Sequence, residues 1–379
     1  VTSFPLFSKL FGGTSVAPLS FLPMVLLILI VVLPDLLNKK AFPCQFQPLY
    51  IYFLIAILTI AFAYMRDVPS FRSIPIWRNA MEGLVTLLFG FGFYLVTIYS
   101  LKDQAQIRNS LRWVNLGGAI IIVVAVAQYA TFKITGSFPK SLISLQMFFS
   151  VSGRLFDGRS NGLAYEPSWL AHQLNILYIP LWLGFVTRNE TVFRKRIFGK
   201  IPYEVLLLTG GIVSMFLSFS RIGWITVIVV LMYLVFRLAN SVINNVLEKR
   251  EKRTGKEQTR RQHFFAKLLL WLLLIAVLLT LVIAAGWVMR KLDPRMERLF
   301  DVSLLKQYGI MGWASRLSFA ERITYWRAAY HVYVKYPWFG SGLGVSGYYF
   351  PETIPSFGYQ LPETLSVILY DSFILNAKN

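Results

Sequence analysis

Apolar runs close to 20 residues long recur from one end of this sequence to the other, and that is the length a helix needs to cross the hydrocarbon core of a bilayer. Spans read at Pro18 to Leu33, Pro48 to Tyr64, Met81 to Leu101, Leu111 to Phe132, Ser168 to Thr187, Tyr203 to Phe219, Ile222 to Ala239 and Ala266 to Met289. Such runs are too many and too internal to be signal peptides. The expected fold is therefore all-α and polytopic, with a bundle of about eight spans over residues 1–289. Composition agrees: 56% hydrophobic and 15% charged residues with a mean hydropathy of +0.56, against about 45 to 50% apolar and about 25% charged in soluble domains. The lone cysteine, Cys44, has no partner thiol and no Cys or His at ligand spacing, which argues against a disulfide framework and a zinc site.

A formal net charge of +20 could suggest nucleic acid, but its placement says otherwise. Arg188, Arg194, Lys195, Arg196 and Lys200 form one basic connection between spans, and eight more basic residues lie from Lys249 to Lys267. Basic residues in short connections mark the cytoplasmic side, where they meet anionic lipid. Lys39, Lys40, Lys102 and Arg108 fit the same side, whereas Arg66, Arg72 and Arg78 sit in a loop that should be outside. The chain also begins at Val1 without methionine and stops within the apolar "SVILYDSFILNAKN", which reads as trimmed at both ends.

Residues 290–379 form the large external region, and they carry ten basic residues against the usual bias. Within it, 315–336 reads as an amphipathic helix whose Phe319, Ile323, Trp326, Tyr330 and Tyr333 recur at helical spacing. At about 100° per residue, Arg316 and Arg327 border that aromatic stripe on one edge and Arg322 on the other. Such a face suits stacking on sugar rings with bidentate guanidinium contacts to phosphate; a helix lying among lipid headgroups is the competing reading. His331, one turn after Arg327, is either near that phosphate or simply solvated. The glycines of "PWFGSGLGVSGYYF" follow a helix rather than a strand, which argues against a dinucleotide fold. An amide cradle for an anion and a plain glycine-rich loop both stay open.

Arg221, in "FSRIGW", sits in a very short external turn between two spans, where an arginine is costly and suggests function, with snorkelling as the alternative. Arg154 and Arg159 add positive charge just before "SNGLAYEPSWLAHQL". There Pro167 fits the first helical position, which places Glu166 at the N-cap of an external helix end, where the dipole favours its ionised form. Glu166 is then either a proton acceptor or only a cap and a partner for Arg159. His172 shares a face with Ser168 and Asn175, a pattern for interhelical hydrogen bonds.

From about Arg159 to Asp371, and most specifically through "ERITYWRAAYHVYVKYPWFGSGLG" with "FSRIGW" upstream, the chain resembles the O-antigen ligase and polymerase superfamily of multi-spanning glycosyltransferases. The resemblance implies a GT-C-like helical enzyme of the cytoplasmic (inner) membrane with its active site facing the outside or periplasm, working without metal or other cofactor. The partners it implies are a polyprenyl-pyrophosphate-linked oligosaccharide donor, a glycan acceptor, membrane lipids and other polysaccharide-assembly proteins. Carried onto this sequence, Arg221 and Arg322 bind the donor's pyrophosphate, with Arg159, Arg316, Arg327 and His331 as further substrate-binding candidates. The ligase branch has a histidine late in the external segment; here "YDSF" supplies Asp371 and Ser372 instead. That departure, together with the Glu166-Pro167-Ser168 element, points to the polymerase branch, with Glu166 or Asp371 as base. A ligase acting on a lipid or protein acceptor and a transporter of lipid-linked sugar are the alternatives.

Overall fold

The computed structural model describes residues 20–39, 43–71, 74–150, 154–193, 195–221, 223–237 apart from 225, parts of 265–287 and 303–314, and 319–365 apart from 363. Arg316, Asp371 and the basic stretch 249–261 lie outside the described residues. Among the described residues the regular structure is helical throughout, as the apolar runs dictate. Five helices are long and apolar enough to cross a membrane: α1 (Phe21–Asn38), α2 (Cys44–Tyr64), α3 (Ile76–Ser100), α4 (Gln104–Thr135) and α6 (Pro167–Arg188). The chain is a multi-pass membrane protein. Between them lies α5 (Lys140–Phe149), and the shorter apolar helices α7 (Glu204–Leu217) and α8 (Thr226–Arg237) follow, matching two further expected spans. Ile30, Val123 and Ile176 are 62%, 66% and 77% exposed on these spans, which is a surface for lipid rather than for water.

Two boundaries differ from the hydropathy reading. Helix α3 starts at Ile76 rather than Met81, because Pro75 supplies an extended N-cap and Arg78 and Glu82 pair across one turn at 3.6 Å. Helix α4 runs 32 residues, about 48 Å at 1.5 Å per residue, so its polar first turns extend well past the apolar core of the span.

The chain divides into two compact units, one of 1–114, 144–153 and 302–379, the other of 115–143 and 154–301. In the first, Lys102 Nζ pairs with Asp35 Oδ2 at 2.9 Å and Tyr94 Oη donates to the Gln45 carbonyl at 3.0 Å, joining the connections expected to be cytoplasmic. The opposite ends of α2 and α3 receive the segment after α9 (Ala320–Lys335). Arg66 stacks over the Tyr336 ring at 4.5 Å and donates to the Gly340 carbonyl at 2.8 Å, while Phe339 lies against Phe62. The arginine that broke the charge rule thus tethers the glycine-rich loop. Tyr348 donates to the Ile74 carbonyl at 3.2 Å, and burial pushes its phenol up to about 12, so it stays a neutral donor.

The glycines of that loop serve close packing. Gly342 and Gly344 have φ of +104° and +75°, and a Cβ on Gly342 would lie 2.7 Å from Ala63 Cβ, while one on Gly344 would collide with the Asn79 carbonyl. Only glycine lets backbone adopt that conformation and approach the helix ends so closely. Of the two readings left open for this loop, the plain structural one accounts for these positions.

In the second unit, Trp182 of α6 is fully buried between Gly118 of α4 and Gly211 of α7, the small residues that let helices touch inside a membrane. Its indole donates to Asn115 Oδ1 at 2.9 Å, and the buried Glu204 carboxylate accepts from Asn115 at 3.4 Å and from the Val192 amide at 3.0 Å. This polar chain ties the start of α7 and the 189–203 connection to α4.

Candidate functional site

The sequence around Glu166 and Arg221 folds into a strap and a turn. Ahead of α6, residues 159–162 form the strap, fastened to α4 by Gln128 and by the Ala125 carbonyl. Gln128, 1% exposed in the last quarter of α4, accepts from the amides of Asn161 and Gly162 at 3.1 and 2.9 Å and donates to the Gly162 carbonyl at 2.7 Å. Ser160 completes the fastening, its hydroxyl donating to the Ala125 carbonyl at 2.6 Å and its amide to the Leu217 carbonyl at 2.9 Å. A buried amide in hydrocarbon needs all its partners, and this strap supplies them.

Arg159 opens the strap and faces the C-terminal end of α7. Its Nε and Nη2 donate to the carbonyls of Ser218 and Phe219 at 3.1 and 3.5 Å. The last carbonyls of a helix lack intrahelical donors and carry partial negative charge, so a guanidinium is a fitting cap. Immediately beyond, Phe219 has φ +46°, Ser220 receives the Trp224 amide at 3.1 Å, and Arg221 stands in the first turn of the next helix, half-buried. Gly223 packs against Met215 and Ala171, where a Cβ would lie 2.7 and 3.3 Å from their side chains. Residues 219–221 therefore form a tightly specified corner with Arg221 at its apex.

Glu166 occupies the N-cap of α6 as expected, with Pro167 at the first helical position and extended backbone at φ −151°. Its side chain does not cap the helix amides; it turns to Ser168, whose hydroxyl donates to Oε1. Of the alternatives for Glu166, neither a side-chain cap nor a pair with Arg159 forms; each side chain has its own separate hydrogen bonds. His172 is exposed and makes no interhelical hydrogen bond among the described residues. In the same helix, residues 174–178 widen into a π-helical turn, a local irregularity often found at functional sites.

The arginine-bearing helix α9 belongs to the other unit and begins at Ala320 among the described residues, later than the expected Ser315. Its buried face is Ala320, Glu321, Thr324, Ala328 and Val332. The later part of the aromatic stripe faces outward, with Trp326, Tyr330 and Tyr333 71%, 63% and 60% exposed, while Phe319 and Ile323 are partly buried against Ala320 and Leu361. Small residues at fourfold spacing let α9 pack closely, which leaves the rings outward. Arg322 shares that outer face, exposed and without a hydrogen-bond or ion-pair partner among the described residues. Arg327 reaches the Phe357 ring at 5.9 Å, and His331 is exposed beside Tyr330, ring centroids 6.3 Å apart.

Residues 205–372 match the family described as O-antigen ligase. Over that stretch, 168 of the chain's 379 residues, the chain is similar to the O-antigen ligase family. The match supports the O-antigen ligase/polymerase superfamily of glycosyltransferase-like enzymes, and with it an activity of ligase or polymerase type in general. The ligase-family segment takes in Arg221, Arg316, Arg322, Arg327, His331 and Asp371 and leaves Arg159 and Glu166 upstream of its start. No curated protein and no solved structure matches the chain.

Sequence reasoning missed Gln128, Ser160, Phe219 and the tether at Arg66. Gln128 had a usable signal, a lone amide within an apolar run, which in a membrane marks a specific partner. Arg66 had one too, as the cation on the wrong side. Phe219 had none, since only tertiary contacts select a left-handed backbone for a phenylalanine.

Proposed function

We propose that this protein polymerises polyprenyl-pyrophosphate-linked oligosaccharide repeat units of a surface polysaccharide on the external face of the cytoplasmic membrane. In this reading Arg221, Arg322 and Arg327 neutralise the pyrophosphate, with Arg316 and His331 as further donor contacts. Glu166 or Asp371 takes the proton from the acceptor hydroxyl as it attacks the anomeric carbon. Charge developing on the departing pyrophosphate is met by preset cations rather than by a metal, a stabilisation that is worth most where water is excluded.

The observation that carries the reading is the ligase-family match over a segment containing both Arg221 and an exposed Arg322 set beside Trp326. Guanidinium and indole on one helix face suit a phosphate and an adjoining sugar ring. Transfer to a different lipid or protein acceptor is the second reading, favoured by the family description itself; the lack of histidine in "YDSF" weighs for polymerisation. R221A and R322A in the intact protein should each abolish polymer ladders at normal protein level. Wild-type ladders from both variants would end the proposal.

A further inference from the structure

The corner that presents Arg221 is built around a residue in the wrong conformation for its type. A left-handed backbone at Phe219 costs a side chain bearing a Cβ free energy that neighbouring structure must supply. Without that support the backbone relaxes toward the right-handed region, α7 continues past Leu217, and Arg221 leaves its apex. What surrounds Phe219 is specific. Its own carbonyl and that of Ser218 take the Arg159 guanidinium, the Ser220 amide donates to Ser218 Oγ at 3.2 Å, and its ring lies between Tyr129 and Trp224 at centroid distances of 6.1 and 5.8 Å.

We infer that Arg159 is a positioning residue: it holds the left-handed turn at Phe219 and so sets the direction in which Arg221 points. Its anchoring makes it suited to this. Arg159 leads directly into Ser160, Asn161 and Gly162, which Gln128 and Ala125 hold to the C-terminal third of α4, so the guanidinium is delivered from a fixed base and not from a free loop. Two donors on two consecutive carbonyls fix the peptide planes on either side of the Phe219 Cα, which is the geometry that defines its φ and ψ. Lysine, with a single point of attachment, fixes only one of them.

The inference rests on Arg221 being a donor ligand, and a suppressor test separates the two claims. In the full-length protein, R159A should lower repeat-unit transfer per folded molecule by roughly tenfold, the scale of one lost backbone preference. Amide exchange of residues 218–221 should accelerate at the same time. Adding F219G, which adopts the left-handed region freely, to R159A should recover activity to within about threefold of the parent, since the clamp is then no longer needed. R159K should fall between parent and R159A, and R159Q serves for the same comparison where R159A fails to accumulate. Wild-type transfer by R159A, or a loss that F219G leaves uncorrected while exchange at the turn is unchanged, would overturn the inference; the second result would make Arg159 a direct substrate contact. R221A run alongside reports on the donor reading alone: if it keeps full activity that reading fails, whereas the exchange data still decide whether Arg159 holds the turn.

Discussion

Glu166 and Ser168 show how one hydrogen bond leaves two roles distinguishable. The carboxylate sits at a helix N-cap, yet it bonds a neighbouring hydroxyl instead of the helix amides. A general base is worth about 10² to 10⁴ in rate, whereas a structural acceptor for Ser168 is worth about 0.5 to 1.5 kcal/mol. E166Q should therefore cut turnover at least about a hundredfold with little loss of thermal stability, and S168A should cut it by less than about tenfold. Equal, small effects from both substitutions would assign the base to Asp371. Which residues would matter was partly legible here: the N-cap position of Glu166 followed from Pro167, and the cost of Arg221 from its place between spans. The direction of each side chain was not: a pair between Arg159 and Glu166 was one alternative for the sequence, and Arg159 instead donates to the open carbonyls of Ser218 and Phe219.

At the scale of elements, hydropathy located the helices and misjudged some of their ends. Helix α9 was recognised by its aromatic period, but a period shows only that residues share a face. Whether that face is buried depends on what the opposite face offers, and Ala320, Thr324, Ala328 and Val332 offer a flatter surface for close packing. The glycine-rich loop gives the same lesson with a testable consequence. An alanine at Gly344 meets both a positive φ and the Asn79 carbonyl. G344A should destabilise the protein by about 2 to 5 kcal/mol, adding left-handed strain to overpacking, read as a lowered melting temperature in detergent. G340A, where φ is +62° but a Cβ meets open space, should cost only the strain, about 1 to 2 kcal/mol. Equal losses at the two positions would show that loop strain, rather than its contact with α3, governs stability.

Across the whole molecule, the sequence establishes a multi-pass membrane protein with a stretch similar to the O-antigen ligase family in its second half. It does not reveal how the helices are grouped. Residues 302–379 belong to the same compact unit as the first 114, joined by contacts such as Arg66 on Gly340 that are 274 residues apart in sequence. Hydropathy treats each span alone and holds no information on such pairings. The sequence motivates the chemistry proposed above through its basic residues in 290–379, which run against the charge bias expected of an external segment. The central claim is that Arg221 and Arg322 serve chain extension, and it is tested most directly with purified full-length protein and a defined polyprenyl-pyrophosphate oligosaccharide as the sole substrate. The account predicts a ladder of lengthened lipid-linked products that vanishes with R221A and with R322A. Donor consumed only when a different acceptor is supplied, or a ladder that survives both substitutions, would contradict it.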